Sequence, residues 1–281
     1  MAVITFYTSC EDQTGNTTSA LALATYLGIV QNKKILYIST AFNDNTIRNA
    51  MWEKRVIRRS GLFGPNTAND AMNDNGIEGL DRIIRSNRIS SSIVTDYTRV
   101  ALTGRLEFLL GYKGEIKQYE EIQNQYSQIV AISAQYYDNV IVDIDRGLEE
   151  KNKIEILNIS DIVIAMTTQK LENINKLAES IDNGNILKDT NTLITIGNYD
   201  YNSKYNAKNI SRSYLKRKKI INTIPHNTLL LEAEQEGQVI DLFIKLLGLK
   251  GKDENTFFLD EIKRLSTSIE DTYMMIQKMR R

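Results

Sequence analysis

Seven short apolar runs, separated by longer stretches with helical spacing, constrain this 281-residue chain more than any other feature. They fall at 2–7 (AVITFY), 33–39 (KKILYIS), 105–111 (RLEFLLG), 139–145 (NVIVDID), 161–168 (DIVIAMTT), 191–197 (NTLITIG) and 219–225 (KIINTIP). Several are apolar almost throughout instead of alternating, as strands buried on both faces of a parallel sheet must be. Helical periodicity fills 17–31, 115–137, 169–183 and 228–247. This rhythm predicts an α/β fold: a doubly wound, mostly parallel sheet with helices on both faces. Beyond it, Phe258, Ile262, Leu265, Ile269, Tyr273 and Ile276 recur at steps of three and four, which predicts one long helix with an apolar stripe. We therefore expect one domain over 1–250 and a C-terminal helical extension over 251–281.

The bulk properties exclude several functional classes. Lys+Arg and Asp+Glu both number 35, so no global field draws the chain to nucleic acid or to an anionic membrane. A single cysteine, Cys10, excludes an internal disulfide and a Cys-based zinc site, and fits a reducing cytoplasm. The opening MAVITFY reads as a strand and lacks the layout of a signal peptide. No apolar run reaches the length of a membrane-spanning helix. Residues 61–76 (GLFGPNTANDAMNDNG) concentrate turn formers and predict an exposed loop, either functional or a plain insertion.

The chemistry-bearing stretch is 9–27, SCEDQTGNTTSALALATYL, which places a Gly-containing loop between the first strand and the first helix. A P-loop needs this order: its backbone N–H groups wrap phosphates, its lysine neutralises them and its hydroxyl meets Mg²⁺. Against the pattern G-x-x-x-x-G-K-[ST], residues 10–17 satisfy only Gly15 and Thr17. The run NVIVDIDRG adds a strand ending in Asp143, suited to the Mg²⁺ side of such a site.

Five segments in order resemble the ParA/MinD group of P-loop ATPases, over roughly residues 1–247. EDQTGNTT (11–18) resembles the end of that group's loop, K-G-G-V-G-K-T-T, through Gly15, Thr17 and Thr18. YYDNVIVDIDRG resembles its Walker B and switch II segment, with Asp143 on the Mg²⁺ side and Gly147 as the switch glycine. ISDIVIAMTTQ resembles the next strand. LITIGNYD resembles the strand whose asparagine, here Asn198, recognises adenine, and TIPHNTLLLEAEQEGQVIDLF the loop, through Pro225, that closes over the base. Within the group, the phrases FYTSCEDQTGNTTS, GIEGLDRI, SAQYYDNVIVDIDRGL and SKYNAKNISR are similar to the CpaE/TadZ proteins of Tad (Flp-type) pilus assembly. The resemblance implies a P-loop NTPase fold and a site for ATP or ADP with Mg²⁺. Nucleotide would lie on Gly15, Asn16, Thr17, Thr18, Asn198 and Pro225, and the metal on Thr17 and Asp143. It also implies a homodimer and partners among pilus or secretion assembly proteins.

The departures from the pattern carry physical weight. The two loop lysines of the group correspond to Asn16 and Glu11, and each missing cation forfeits a charge-assisted contact of roughly 1.5–3 kcal/mol. Glu11 and Asp12 would repel phosphates unless they turn away. Where the group has an Asp-x-Asp pattern to position the attacking water, ILYISTA offers Ser39 and Ala41, with Asp44 nearby in sequence. Phosphoryl transfer depends on placed cations and an oriented water. We therefore expect weakened or absent nucleotide binding, hydrolysis absent or very slow, and no assignable catalytic residue.

A cytoplasmic scaffold for localisation or assembly follows, as a reading for a Tad-type pilus or related secretion apparatus. The alternative is an active atypical ATPase of plasmid or chromosome partition, in which a cation from elsewhere replaces the lost lysines. That reading calls on Lys54, Arg55, Arg58 and Arg59, and on Arg212, Lys216, Arg217, Lys218 and Lys219, for non-specific DNA binding. A solvated charge run explains the same residues and is favoured at zero net charge. Peripheral contact of the last helix with the inner face of the membrane stays open. Its polar face carries Glu261, Glu270 and Asp271, so packing on the body of the protein or on a partner is the simpler expectation. The one histidine, His226, reads as a loop residue, and Cys10 as a small packed side chain.

Overall fold

In the computed structural model, described residues are 2–52, 76–86, 90–182, 191–215 and 221–280. Eight strands form one sheet: β1 (Ala2–Tyr7), β2 (Ile35–Ser39), β3 (Arg99–Leu102), β4 (Leu106–Leu109), β5 (Asn139–Asp143), β6 (Ile162–Thr167), β7 (Thr192–Tyr199) and β8 (Ile221–Pro225). Their order is β3-β4-β2-β5-β1-β6-β7-β8, and every neighbouring pair is parallel except β3 with β4. All residues of β1, β2, β5, β6 and β8 are buried, which explains why their sequences are largely apolar.

The helices are α1 (Asn16–Val30), α2 (Thr46–Met51), α3 (Gly76–Arg85), α4 (Ile116–Ile122), α5 (Tyr126–Ser133), α6 (Glu150–Asn158), α7 (Leu171–Asp182), α8 (Ala207–Ser213), α9 (Thr228–Glu236), α10 (Val239–Gly248) and α11 (Glu254–Met279). One face of the sheet is covered by α1, α2, α9, α10 and α11, and the other by α3 to α8. The first helix is buried nearly all round, from Ser19 to Thr25 and again at Leu27 and Gly28, so its Ala/Leu composition suits a helix enclosed by neighbours.

The helices α2, α3, α6 and α8 lie outside the expected helical segments, and three further elements differ from the sequence expectations. The segment 115–137 is two α-helices joined by a short 3-10 turn at Gln123–Gln125. The segment 228–247 is divided after Glu236, where the Gly237 N–H caps α9 by donating to the Ala233 carbonyl. The edge strand β3 was not expected. It pairs antiparallel with β4 only and leaves Val100 half exposed, so it lacks the doubly buried pattern.

The long helix α11 is continuous with the core. Phe258, Ile262, Leu265, Ile269 and Ile276 are buried in the same cluster as α1 and α10, and Tyr273 packs against it. The expected stripe therefore faces the protein. Polar contacts flank it: Ser268 Oγ donates to Asn222 Oδ1 at 2.9 Å, Thr223 pairs with Glu261, and Arg280 meets Asp161 at 3.0 Å. Among the described residues no helix is long and apolar enough to cross a membrane.

Candidate functional site

The central strand β1 lies between β5 and β6, where the chain's connections diverge to opposite sides of the sheet. Ligands of open α/β sheets bind at such a point, beyond the carboxyl ends of the strands. The loop leaving β1 occupies it. Gly15 adopts φ 71° and ψ 27°, a left-handed conformation that costs glycine nothing, and α1 starts at the next residue. The loop is seated on β7: a Cβ at Gly197 would lie 2.0 Å from the Thr14 carbonyl oxygen, so only glycine allows this approach. Asn198, with φ 48°, donates from Nδ2 to the Gln13 carbonyl at 3.3 Å and lies against Gly15. The expected phosphate-side and base-side residues thus meet. Pro225 ends β8 opposite Tyr199, one strand further out.

Asn16, at the expected lysine position, turns inward. Its Nδ2 donates to Asp143 Oδ1 at 2.7 Å and lies 3.5 Å from the Ile144 carbonyl. The other carboxylate oxygen, Oδ2, accepts from the Tyr37 hydroxyl at 2.9 Å, and the Thr17 hydroxyl nearby also stabilises the Asp143 anion. In register, Asp143 stands between Phe6 of β1 and Ser39 of β2, almost fully buried. Burial pushes its carboxyl up to about 6, although Tyr37, Thr17 and Asn16 all stabilise the anion; Asp145 adds to the rise. Burial and Asp143 together hold the Tyr37 hydroxyl well above its usual range.

The fold therefore assembles the pair expected on Mg²⁺, Thr17 with Asp143. A carboxylate offers about four lone-pair positions, and Asn16 and Tyr37 take two here. A metal ion could take an open position directly, or one of its waters could. The Asn16 Oδ1 atom supports the second fit: it is buried and has no hydrogen-bond partner among the described residues. A magnesium ion keeps several waters in most protein sites.

Both acids of the loop face lysines at its rim. Asp12 pairs with Lys170 at 3.0 Å and accepts from Asn173 Nδ2 at 2.8 Å. Glu11 is 94% exposed, 3.9 Å from Lys176. Their carbonyls accept from Arg146, which follows β5. Cys10 is buried with Sγ 3.8 Å from Thr167 Oγ1, a packed residue at the base of the loop.

No protein-family model matches the chain, and no curated protein matches its sequence. Solved structures do match its fold. A ParA family ATPase from Chlorobium tepidum superposes with a TM-score of 0.63 at 16% identity, over 85% of this chain and 90% of that one. The septum site-determining protein MinD of Pyrococcus horikoshii, solved with Mg-ADP, gives 0.62 at 12% identity over 96% and 98%. A plasmid partition protein of Borrelia burgdorferi bound to AMPPNP gives 0.56 at 15% identity over 95% and 98%. The fold is that of the ParA/MinD ATPases. At these identities the likeness is one of fold.

Within this ParA/MinD fold, two buried site residues escaped the sequence reading. Tyr37 sits inside an apolar run that reads as core, and its partner Asp143 lies 106 positions away. Glu234 of α9 is buried beside the first turn of α1 and leaves Oε1 with no hydrogen-bond partner among the described residues; burial raises its carboxyl, and the Thr18 hydroxyl offsets part of the rise. The only signal for it was an acid within the apolar stretch TLLLEAEQE. Asp44 is engaged elsewhere. Its Oδ1 accepts from Thr46 N at 2.9 Å and Thr46 Oγ1 at 2.7 Å, opening α2. Ser39 Oγ accepts from Ala41 N at 3.3 Å. His226 is exposed just after β8. Arg212 lies in the last turn of α8, whereas Lys54, Arg55, Arg58, Arg59, Lys216, Arg217, Lys218 and Lys219 lie outside the described residues, as does the loop expected at 61–76 except Gly76.

Proposed function

We propose that this chain is a nucleotide-binding localisation or assembly factor built on the ParA/MinD fold, with ATP hydrolysis absent or very slow. ATP or ADP would lie on the loop backbone and first turn of α1, at Gly15, Asn16, Thr17 and Thr18, with Asn198 and Pro225 on the base side. Thr17 and Asp143 would hold Mg²⁺, the latter through water; bound there, the ion supplies the phosphates with positive charge. Asn16 carries the reading. It is neutral, and its amide is committed to Asp143, so it offers a triphosphate no cation. Electrostatic stabilisation of the developing charge is the main resource of phosphoryl transfer, and this loop lacks it.

The resemblance of residues 1–247 to CpaE/TadZ proteins supports a cytoplasmic role, free or at the inner face of the membrane, in a Tad-type pilus or related secretion apparatus. A homodimer and pilus or secretion assembly proteins are the partners proposed on the same ground. Calorimetric titration with Mg-ATP and Mg-ADP tests the site: the wild type should bind weakly, and Asn16→Lys about tenfold more tightly, the effect of one charge-assisted contact. Brisk turnover by the wild type, abolished by Asp143→Ala, would overturn the reading. Loss of surface pili on deletion of the gene tests the biological role.

A further inference from the structure

Asp12 stands within the segment of the loop that would wrap phosphate, yet its carboxylate is held by a prepared set of donors. Lys170 Nζ reaches Oδ1 at 3.0 Å, and Asn173 Nδ2 reaches Oδ2 at 2.8 Å. Asn173 is only 3% exposed, and its amide also donates to Thr168 Oγ1 at 2.8 Å, which fixes its direction. Lys170 immediately precedes the 12-residue helix α7 and Asn173 lies in its first turn, so one short segment supplies both donors. Together these form a seat for an anion, with the chain's own carboxylate in it.

We propose that Asp12 is a built-in competitor of phosphate. It occupies Lys170, whose charge would replace one of those missing at positions 11 and 16, and the neutral donor Asn173, and a polyphosphate binds by displacing it. This rests on the nucleotide reading above and adds the identity of the replacement cation. The exchange is mechanically simple. The Lys170 and Asp12 side chains are 67% and 40% exposed, so both rotate at the surface without disturbing the core. Exposed ion pairs hold weakly, and a polyphosphate carries more charge than the carboxylate it replaces. Release of Asp12 to solvent also removes its repulsion of the incoming phosphates.

The test is calorimetry on the full chain with two probes, Mg-ATP and inorganic tripolyphosphate, using wild type, Asp12→Asn, Lys170→Gln and the double variant. Asp12→Asn should bind both probes about three- to tenfold more tightly than wild type. Lys170→Gln should bind both more weakly, and the double variant no more tightly than Lys170→Gln. If the wild type binds and Asp12→Asn gains nothing, the competitor is refuted and the nucleotide reading stands. A gain limited to Mg-ATP, or one that survives in the double variant, also refutes it. No binding by any of the four proteins refutes the nucleotide reading as well. Should Asp12→Asn fail to fold, as read by circular dichroism, Asp12→Ser and Lys170→Gln carry the same comparison.

Discussion

A carboxylate enclosed between β1 and β2 is charged only at the expense of its own burial, and Asp143 shows this through a carboxyl raised to about 6. Its folded value lies above its unfolded one, so the unfolded chain loses the proton first. The metal-free protein should therefore lose stability as pH rises from about 4 to 6 and level off above. Asp143→Asn should abolish that fall and leave the variant more stable at pH 8 by up to about 3 kcal/mol, less what Tyr37 and Asn16 lose in facing an amide. Urea denaturation of both proteins from pH 4 to 8 measures it, and curves that stay parallel through pH 4–6 would reject it. A second prediction concerns Gly197. The alanine Cβ would clash with the Thr14 carbonyl, so Gly197→Ala should cost about 1–3 kcal/mol and lower the melting temperature. An unchanged melting temperature would mean that the loop is not seated on β7. At this scale the sequence was only half legible. Gly15, Thr17 and Asp143 are visible because motif spacing is local, whereas the Asp12–Lys170 pair joins positions 158 apart.

Among the elements, α11 makes the clearest case for a helix that belongs to the core. Its start is well specified: Asp253 caps the Thr256 N–H at 2.7 Å, and the Thr256 hydroxyl returns the bond to the Asp253 N–H at 2.8 Å. Asp253→Ala should cost about 1 kcal/mol. Leu265→Ala, at a fully buried position, should cost about 2–5 kcal/mol. Removal of 254–281 should abolish the cooperative transition, as followed by near-ultraviolet circular dichroism; a truncated protein with a native spectrum would contradict this. The stripe of α11 was legible because its period survives burial on one side. The central strands were legible for the opposite reason, being covered on both faces. β3 had a signal that periodicity passes over: the Thr103-Gly104 pair turns the chain between Leu102 and Arg105, and the Arg105 N–H donates to the Leu102 carbonyl at 2.9 Å.

For the whole molecule, the fold could be read from the alternation of strands and helices, because a parallel sheet can be wound in few ways. What could not be read is the set of ties across the loop, since each joins elements that are distant in sequence. They bear on restoring activity. Asn16→Lys should tighten nucleotide binding yet leave phosphate release at background, because Asp44 is engaged at the start of α2 and Ser39 with Ala41, away from any water-positioning task. Measurable turnover by that single variant would contradict the account. The ties have a further consequence. Gly197 beneath the loop, Asn198 beside it and Arg146 across it bind its two sides to β7 and to the turn after β5. A partner docking there would meet one fixed contour, while the rim at Asp12 and Lys170 changes when a polyphosphate enters. Such a surface is a landmark with one movable marker.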